Sequence, residues 1–404
     1  MSQKTISFIQ PSRNNLKYLE WSYNSIRKNL GYRHEIMFGD DYSDDGTWKW
    51  LQNIKKKDPN VQIFRNKGPE RKGIVYWYDF LCENATNDIV MFFHADMYAC
   101  PNLDTAILKH LERGKVVTAT RIEPPLHPDG PEKILMDYGI EPEEFKEQEL
   151  LTWVSSSPEH THSKLSKETT EGIFAPWAIY KEDYWKTGGH DKLFAPQSKE
   201  DSDIFNRFHL LGYEFIQTWR GFVYHMTSRG SRFNPSSGGA PGKDSPEWIH
   251  TTTKNMRNFI RKWGTMVQHD QHMKPIVSPK YDIGFVAYHC DAGMLDNLEP
   301  WCNKIYLDLQ DSDCIREYVK KEQPNTTYNL SERIKLYGHN KISELHDVCV
   351  EFDCRNLNND NFQIITKLPH ILKDSGEIGT MEYDIFKFYI NSLDSYEKDL
   401  ILVD

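Results

Sequence analysis

The chain has 404 residues, of which 38% are hydrophobic and 13% aromatic, and a formal net charge of −10. That composition excludes a disordered or fibrous polymer, and the length predicts one large domain and one smaller one. No apolar run approaches the roughly 20 residues of a bilayer span. The opening Met1-Ser2-Gln3-Lys4 also lacks the order of a signal peptide, which predicts a cytoplasmic protein with no membrane span.

The first hundred residues alternate strand-like and helix-like patterns, the mark of a mostly parallel sheet flanked by helices. Thr5 to Ile9 reads as a strand, followed by the turn Gln10-Pro11-Ser12-Arg13-Asn14 and a helix from about Asn15 that stops at Gly31. Strands are expected at Glu35 to Gly39, Val61 to Arg65 and Asp88 to Phe93, with helices at Thr47 to Lys57 and Gly73 to Glu83. From Ile122 to Thr170 the periodicity fades into a surface excursion with one helix near Pro142 to Leu151. Regularity returns at Gly172 to Tyr180, then a helix from Asp201 to Leu211 and a strand from Phe215 to Tyr224. Asn234 to Gly242 is a Pro- and Gly-rich loop, and Thr251 to Trp263 a basic helix. Strands at Tyr281 to Tyr288, Lys304 to Leu309 and, last, Asp347 to Phe352 predict a smaller C-terminal α/β domain. The expected division is therefore 1–235, 236–275 and 276–404.

Seven cysteines without a C-x-x-C pair read as reduced, mostly buried thiols. Charge is uneven: residues 219–274 hold nine Lys or Arg against three acids, a local +6, whereas 276–404 carries −10. A basic stretch inside an acidic protein suits a diphosphate or polyanion, or is a solvated helix face.

Four groups of residues carry the chemistry. Asp40 and Asp41 end the second strand, where a carboxylate accepts from a base or a ribose hydroxyl, or caps a helix. His94 and Asp96 end a buried strand, and a carboxylate there requires a partner or a cation such as Mn2+ or Mg2+. Glu200 and Asp201 open a helix and are candidates for a general base, or for plain dipole partners. His225, Arg229 and Arg232 follow the last strand of the first domain, His225 as a metal ligand or core histidine and the two arginines as cations for a departing diphosphate.

Taken in order, these residues resemble glycosyltransferase family 2, over roughly residues 5 to 230. Asp40-Asp41-Tyr42-Ser43-Asp44-Asp45-Gly46-Thr47 looks like its nucleotide-binding segment, Glu70-Arg71-Lys72-Gly73 like a basic contact, and His94-Ala95-Asp96 like its aspartate-x-aspartate metal motif with His94 in place of the first aspartate. The resemblance implies a GT-A fold and an inverting transferase using a nucleotide diphosphate sugar, commonly a UDP-sugar. It implies metal ligands Asp96 and His225, base Asp201 beside Glu200, and donor contacts from Ser12, Asp40, Asp41, Arg71, Lys72, His94 and Arg229. A glycan or polysaccharide acceptor is preferred to DNA carrying a hydroxymethylated base, because overall acidity opposes a duplex. The rival of another class is a GT-A module that binds nucleotide or glycan without turnover.

Overall fold

The computed structural model describes residues 4–156, 162–230, 232–308, 312–337 and 342–403. Contacts divide the chain into two units: Met1–Thr252 with His269–Pro275 and Leu402–Asp404, and Thr253–Gln268 with Ile276–Ile401.

The first unit is built on a mixed sheet. Its strands are β1 (Ile6–Ser12), β2 (Glu35–Asp40), β3 (Val61–Arg65), β4 (Ile89–Phe92), β5 (Met97–Ala99), β6 (Lys115–Glu123), β7 (Lys133–Leu135), β8 (Thr169–Thr170), β9 (Trp177–Tyr180) and β10 (Glu214–His225). Its helices are α1 (Leu16–Asn29), α2 (Thr47–Lys57), α3 (Gly73–Asn84), α4 (Leu103–His110), α5 (Glu147–Ser155), α6 (Lys181–Trp185) and α7 (Glu200–Leu210). The strand order is β3-β2-β1-β4-β9-β6-β10-β5. β3, β2, β1 and β4 are parallel, β9 runs opposite to both neighbours, and β6 and β10 are parallel to each other. Two reversals restore the direction, so β6 and β10 point the same way as β4. The C-terminal ends of β1, β2, β4, β6 and β10 therefore share one edge, where an open α/β sheet gathers its ligand loops.

Apolar patterning explains the packing. Leu19, Tyr23 and Ile26 of α1 are buried against β1 and β2, whose Ile6, Phe8, Ile36 and Phe38 lie in the same core. β4 is buried along its whole length, as a central parallel strand should be. The sequence reading locates α2 and β3 to the residue, and β1 runs on to Ser12, so Ser12 ends a strand instead of lying in a turn. It misses β5, α4 and β6, which occupy 97–123. The helix expected near Pro142 divides into a 3-10 turn, Pro142–Glu144, and α5.

α8 (Pro246–Trp263) is divided between the units. The second unit contains β11 (Ile283–Tyr288), α9 (Ala292–Leu298), β12 (Lys304–Leu307), α10 (Ser312–Glu322), α11 (Leu330–Arg333), β13 (Ile334–Leu336), β14 (Val348–Asp353), α12 (Asn359–Ser375), β15 (Gly379–Tyr383) and β16 (Phe386–Ile390). Its strand order is β13-β12-β11-β14-β16-β15, the first four parallel. The strand expected to be last is followed by α12 and an antiparallel hairpin. Leu309, expected in β12, lies outside the described residues. No helix among the described residues is long and apolar enough to cross a membrane.

The basic helix is not an open cationic face. Arg261 is buried and donates to Glu299 at 2.7 Å and Glu322 at 2.6 Å, Arg257 donates to Glu322 at 2.7 Å, and Arg333 donates to Glu299 at 2.6 Å. The charges of Arg257 and Arg261 are thus compensated by acids of the same unit, so these two side chains offer no surface to a diphosphate or polyanion. Removing one member of such a network leaves buried charge uncompensated. Glu299→Ala is expected to destabilise the second unit by roughly 3–5 kcal/mol, read by urea denaturation; a loss below about 1 kcal/mol, the scale of an exposed pair, contradicts this.

Candidate functional site

At the C-terminal edge of the first sheet lies a cavity of about 360 Å3. Eight of the residues expected at a site line it: Ser12, Asp41, Arg71, His94, Asp96, Glu200, Asp201 and His225. Three others do not, and each has a visible structural task.

Asp40 is fully buried: it accepts from the Ser43 amide at 3.0 Å and faces Arg65 at 3.2 Å, outside hydrogen-bonding geometry. Lys72 holds its ammonium 4.1 Å above the Tyr76 ring. The Arg229 guanidinium is buried and donates to the Ile140 carbonyl at 2.8 Å, while its backbone amide donates to Asp96 Oδ2 at 2.7 Å. Arg229 therefore holds Asp96 through its main chain, while the side chain expected to meet a diphosphate is engaged at the Ile140 carbonyl and is not part of the cavity lining.

On one wall, His94, Asp96 and His225 offer ligand atoms that all lie within 4.8 Å of one another. His225 Nδ1 is 2.8 Å from Glu123 Oε1, and its Nε2 lies 3.5 Å from Asp96 Oδ1, buried and without a hydrogen-bond partner. Burial opposes charge on His225, but Asp96 and Glu123 outweigh it and lift its pKa to about 9. Burial would push Asp96 up, yet His225, His94 and the Arg229 amide hold it well below the usual carboxylate range. Burial pushes His94 down to about 4, which keeps one of its ring nitrogens unprotonated and able to ligate. Once His225 gives up its Nε2 proton to a cation, that nitrogen, the neutral His94 imidazole and the ionised Asp96 carboxylate form a nitrogen–oxygen donor set that fits a divalent cation.

A second wall is the start of α3. Asp41 accepts from the amides of Lys72 at 3.0 Å and Gly73 at 2.9 Å and from Asn66 at 2.9 Å, and so caps that helix. Gly73 has φ +80, and a Cβ there would lie 2.3 Å from Pro196, so only glycine lets α3 meet the loop before α7. Arg71 is engaged by Gln197 at 2.7 Å and by Glu247 of α8, while its buried Nε makes no hydrogen bond.

Opposite the histidines, Ser198 and Lys199 both adopt left-handed backbone, with φ +79 and +71, and deliver Glu200 and Asp201 at the first turn of α7. Strain of this kind gathers at functional loops. Asp203 is drawn off into a buried pair with Arg207 at 2.9 Å, which leaves Glu200 and Asp201 as the acids of that turn that face the cavity. The sequence reading missed Trp77, Arg121, Lys199 and Trp248, which also line it, as does Arg232, the second cation expected beside the diphosphate. Six lining atoms are buried without a hydrogen-bond partner: Ser12 Oγ, Arg71 Nε, Trp77 Nε1, Arg121 Nε, Glu200 Oε2 and His225 Nε2. Buried polar atoms are ordinarily satisfied, so their concentration here marks a surface shaped for a polar ligand.

The family described as Glycosyl transferase family 2 matches residues 7–182. No curated protein matches the chain. Solved structures similar to it include GalNAc-T7 with UDP, GalNAc and Mn2+, at 14% identity over 65% of this chain and 51% of that one, TM-score 0.45. The mannosyltransferase PcManGT from Pyrobaculum calidifontis with GDP-Man and Mn2+ is 16% identical over 55% of this chain and 56% of that one, TM-score 0.37. S. aureus TarS 1-349 with UDP is 14% identical over 55% and 60%, TM-score 0.37. The chain thus spans about half to three fifths of these structures.

Burial and then the neighbouring Asp201 push the Glu200 carboxyl up from its ordinary 4.5. Burial raises Asp201 from 3.8, against the pull of His190 and Arg121. A carboxyl raised by folding binds its proton more tightly folded than unfolded, so its contribution is full below the unfolded value and is lost as pH rises through the folded one. Glu200→Gln stays neutral and escapes that loss. It should match the parent's melting temperature near pH 4.5 and exceed it by about 2–4 °C or more at pH 9; parallel melting curves across that range contradict the assignment.

Proposed function

The chain carries a glycosyl transferase family 2 domain over residues 7–182, and from that premise we propose that it is an inverting glycosyltransferase. The donor is a nucleotide diphosphate sugar, a UDP-sugar by the family's commonest usage, and the acceptor is a hydroxyl of a glycan or other glycoconjugate. The supporting observation is one cavity that joins a His94–Asp96–His225 cluster to the Glu200–Asp201 pair, with six unsatisfied polar atoms between and around them.

Each residue then has a task. Ser12, Asp41 and Arg71 line the end of the cavity beside α3 and bind the nucleotide. Asp96 and His225 hold the cation with His94 beside them, and two imidazoles favour Mn2+ over the oxygen-seeking Mg2+. When bound, the cation compensates the charge that develops on the departing diphosphate. Asp201 takes the acceptor proton as the acceptor oxygen bonds to the anomeric carbon and the bond to the diphosphate oxygen breaks, which inverts the configuration. Glu200, kept neutral by its surroundings, donates to a second acceptor hydroxyl. A double-stranded DNA acceptor is disfavoured because Arg257 and Arg261 are consumed by Glu299 and Glu322.

Losing a positioned base lowers the rate by about 10²- to 10⁴-fold. Asp201→Asn should therefore bind UDP and Mn2+ like the parent and lose at least 10²-fold in UDP release from a UDP-sugar. Asp96→Ala should lose Mn2+-dependent UDP binding itself. Near-parental turnover in Asp201→Asn, or a product that keeps the donor's anomeric configuration, rules the mechanism out. Duplex DNA bearing 5-hydroxymethylcytosine should gain no sugar mass under conditions that glycosylate a glycan acceptor.

A further inference from the structure

The nearest neighbours of the histidine–aspartate cluster include a carboxylate that lies outside the family pattern. Glu123 is the last residue of β6, and the parallel register pairs Ile122 with Tyr224, so the next residues, Glu123 and His225, emerge side by side from adjacent strands. Glu123 is buried, with Oε1 2.8 Å from His225 Nδ1 and Oε2 accepting from Lys133 Nζ at 3.0 Å. Arg121 Nε lies 3.4 Å from Oε1, and the Arg121 guanidinium is itself held by Glu132 at 2.8 Å. The two cations come from the same ribbon, because Arg121 is the register partner of Lys133.

This arrangement is more than charge pairing. Lys133 and Arg121 already compensate the Glu123 carboxylate, so it has no electrostatic need of a third donor. Lys133 also pins one of its oxygens by a hydrogen bond, with Arg121 beside the oxygen that faces His225. A fixed acceptor at Nδ1 holds the proton on that nitrogen and sets the rotation of the His225 ring, and with them the direction of Nε2, which lies beside Asp96 and ligates once a cation displaces its proton.

We propose that Glu123 is a positioning residue that, clamped by Lys133 and Arg121, aims His225 Nε2 at the divalent cation. The proposal rests on the metal role of His225. Glu123 touches neither donor nor acceptor, and acts only through that ring.

The test is a double-mutant cycle on Mn2+ affinity, read by the loss of the free-ion EPR signal on titration with MnCl2, without donor or turnover. Glu123→Met is expected to weaken Mn2+ binding about 10- to 100-fold, the usual effect of losing an outer partner of a ligand histidine. In a His225→Ala background it is expected to add less than about threefold, because the ring it aims is gone. Parental affinity in Glu123→Met, or full weakening in both backgrounds, overturns the proposal. Should Glu123→Met fail to fold, Glu123→Gln, which swaps one acceptor oxygen for a donor nitrogen, is expected to weaken Mn2+ in the same non-additive way. If His225→Ala alone leaves Mn2+ affinity unchanged, the metal reading itself fails; if His225→Ala weakens binding and neither Glu123 variant does, only the role of Glu123 fails.

Discussion

The site depends on one buried carboxylate held ionised in the turn between β4 and β5. Asp96 is 3% exposed, and burial alone would protonate it. It stays charged because the Arg229 amide binds one oxygen and His225 faces the other. Those two contacts come from the last residue of β10 and the loop that follows it. β10 is kept in line by its parallel pairing with β6 and by its short antiparallel pairing with β5, which leads out of the Asp96 loop. The β6–β10–β5 side of the sheet thus frames Asp96.

Across the cavity the electrostatic logic reverses. Glu200 is pushed toward its protonated form by burial and by Asp201, and Asp201 by burial, whereas Asp96 and Glu123 are pushed toward ionisation by the imidazole and guanidinium groups around them. Carboxyls driven apart in this way can divide cation binding and proton transfer between them within one pocket. The left-handed pair Ser198 and Lys199, and the glycine at 73 against Pro196, are the local strain and close approach that hold the second pair in position.

Much of this was legible in the sequence wherever a residue's task follows from its own strand or helix. β2, β3, β4, α2 and α7 show through their apolar periodicity, and the residues at their ends, Asp41, His94, Asp96, Glu200 and Asp201, reach the cavity. Long-range partners were not legible. Asp40 and Asp41 look alike in sequence, yet one turns to Ser43 and Arg65 and the other caps α3 at the cavity wall. Arg229 is spent on Ile140, and Arg257 and Arg261 on acids near 299 and 322, separations that no local pattern carries. Glu123 and Arg121 were lost because the strand Lys115–Glu123 runs directly into a Pro-rich segment, which hides the end of its alternation. The signal that would have found them is the run Val116 to Ile122, a β-branched strand ending in paired charges.

The central claim is that His94, Asp96 and His225 receive a divalent cation in the same cavity that carries the acidic pair. The most direct measurement is anomalous X-ray scattering at the manganese absorption edge from crystals of the full chain grown with MnCl2 and UDP. The account predicts a single strong peak within coordination distance of Asp96 Oδ1 and His225 Nε2, with the diphosphate on its open side. A peak elsewhere, or UDP bound in the cavity with no anomalous signal beside Asp96, contradicts it.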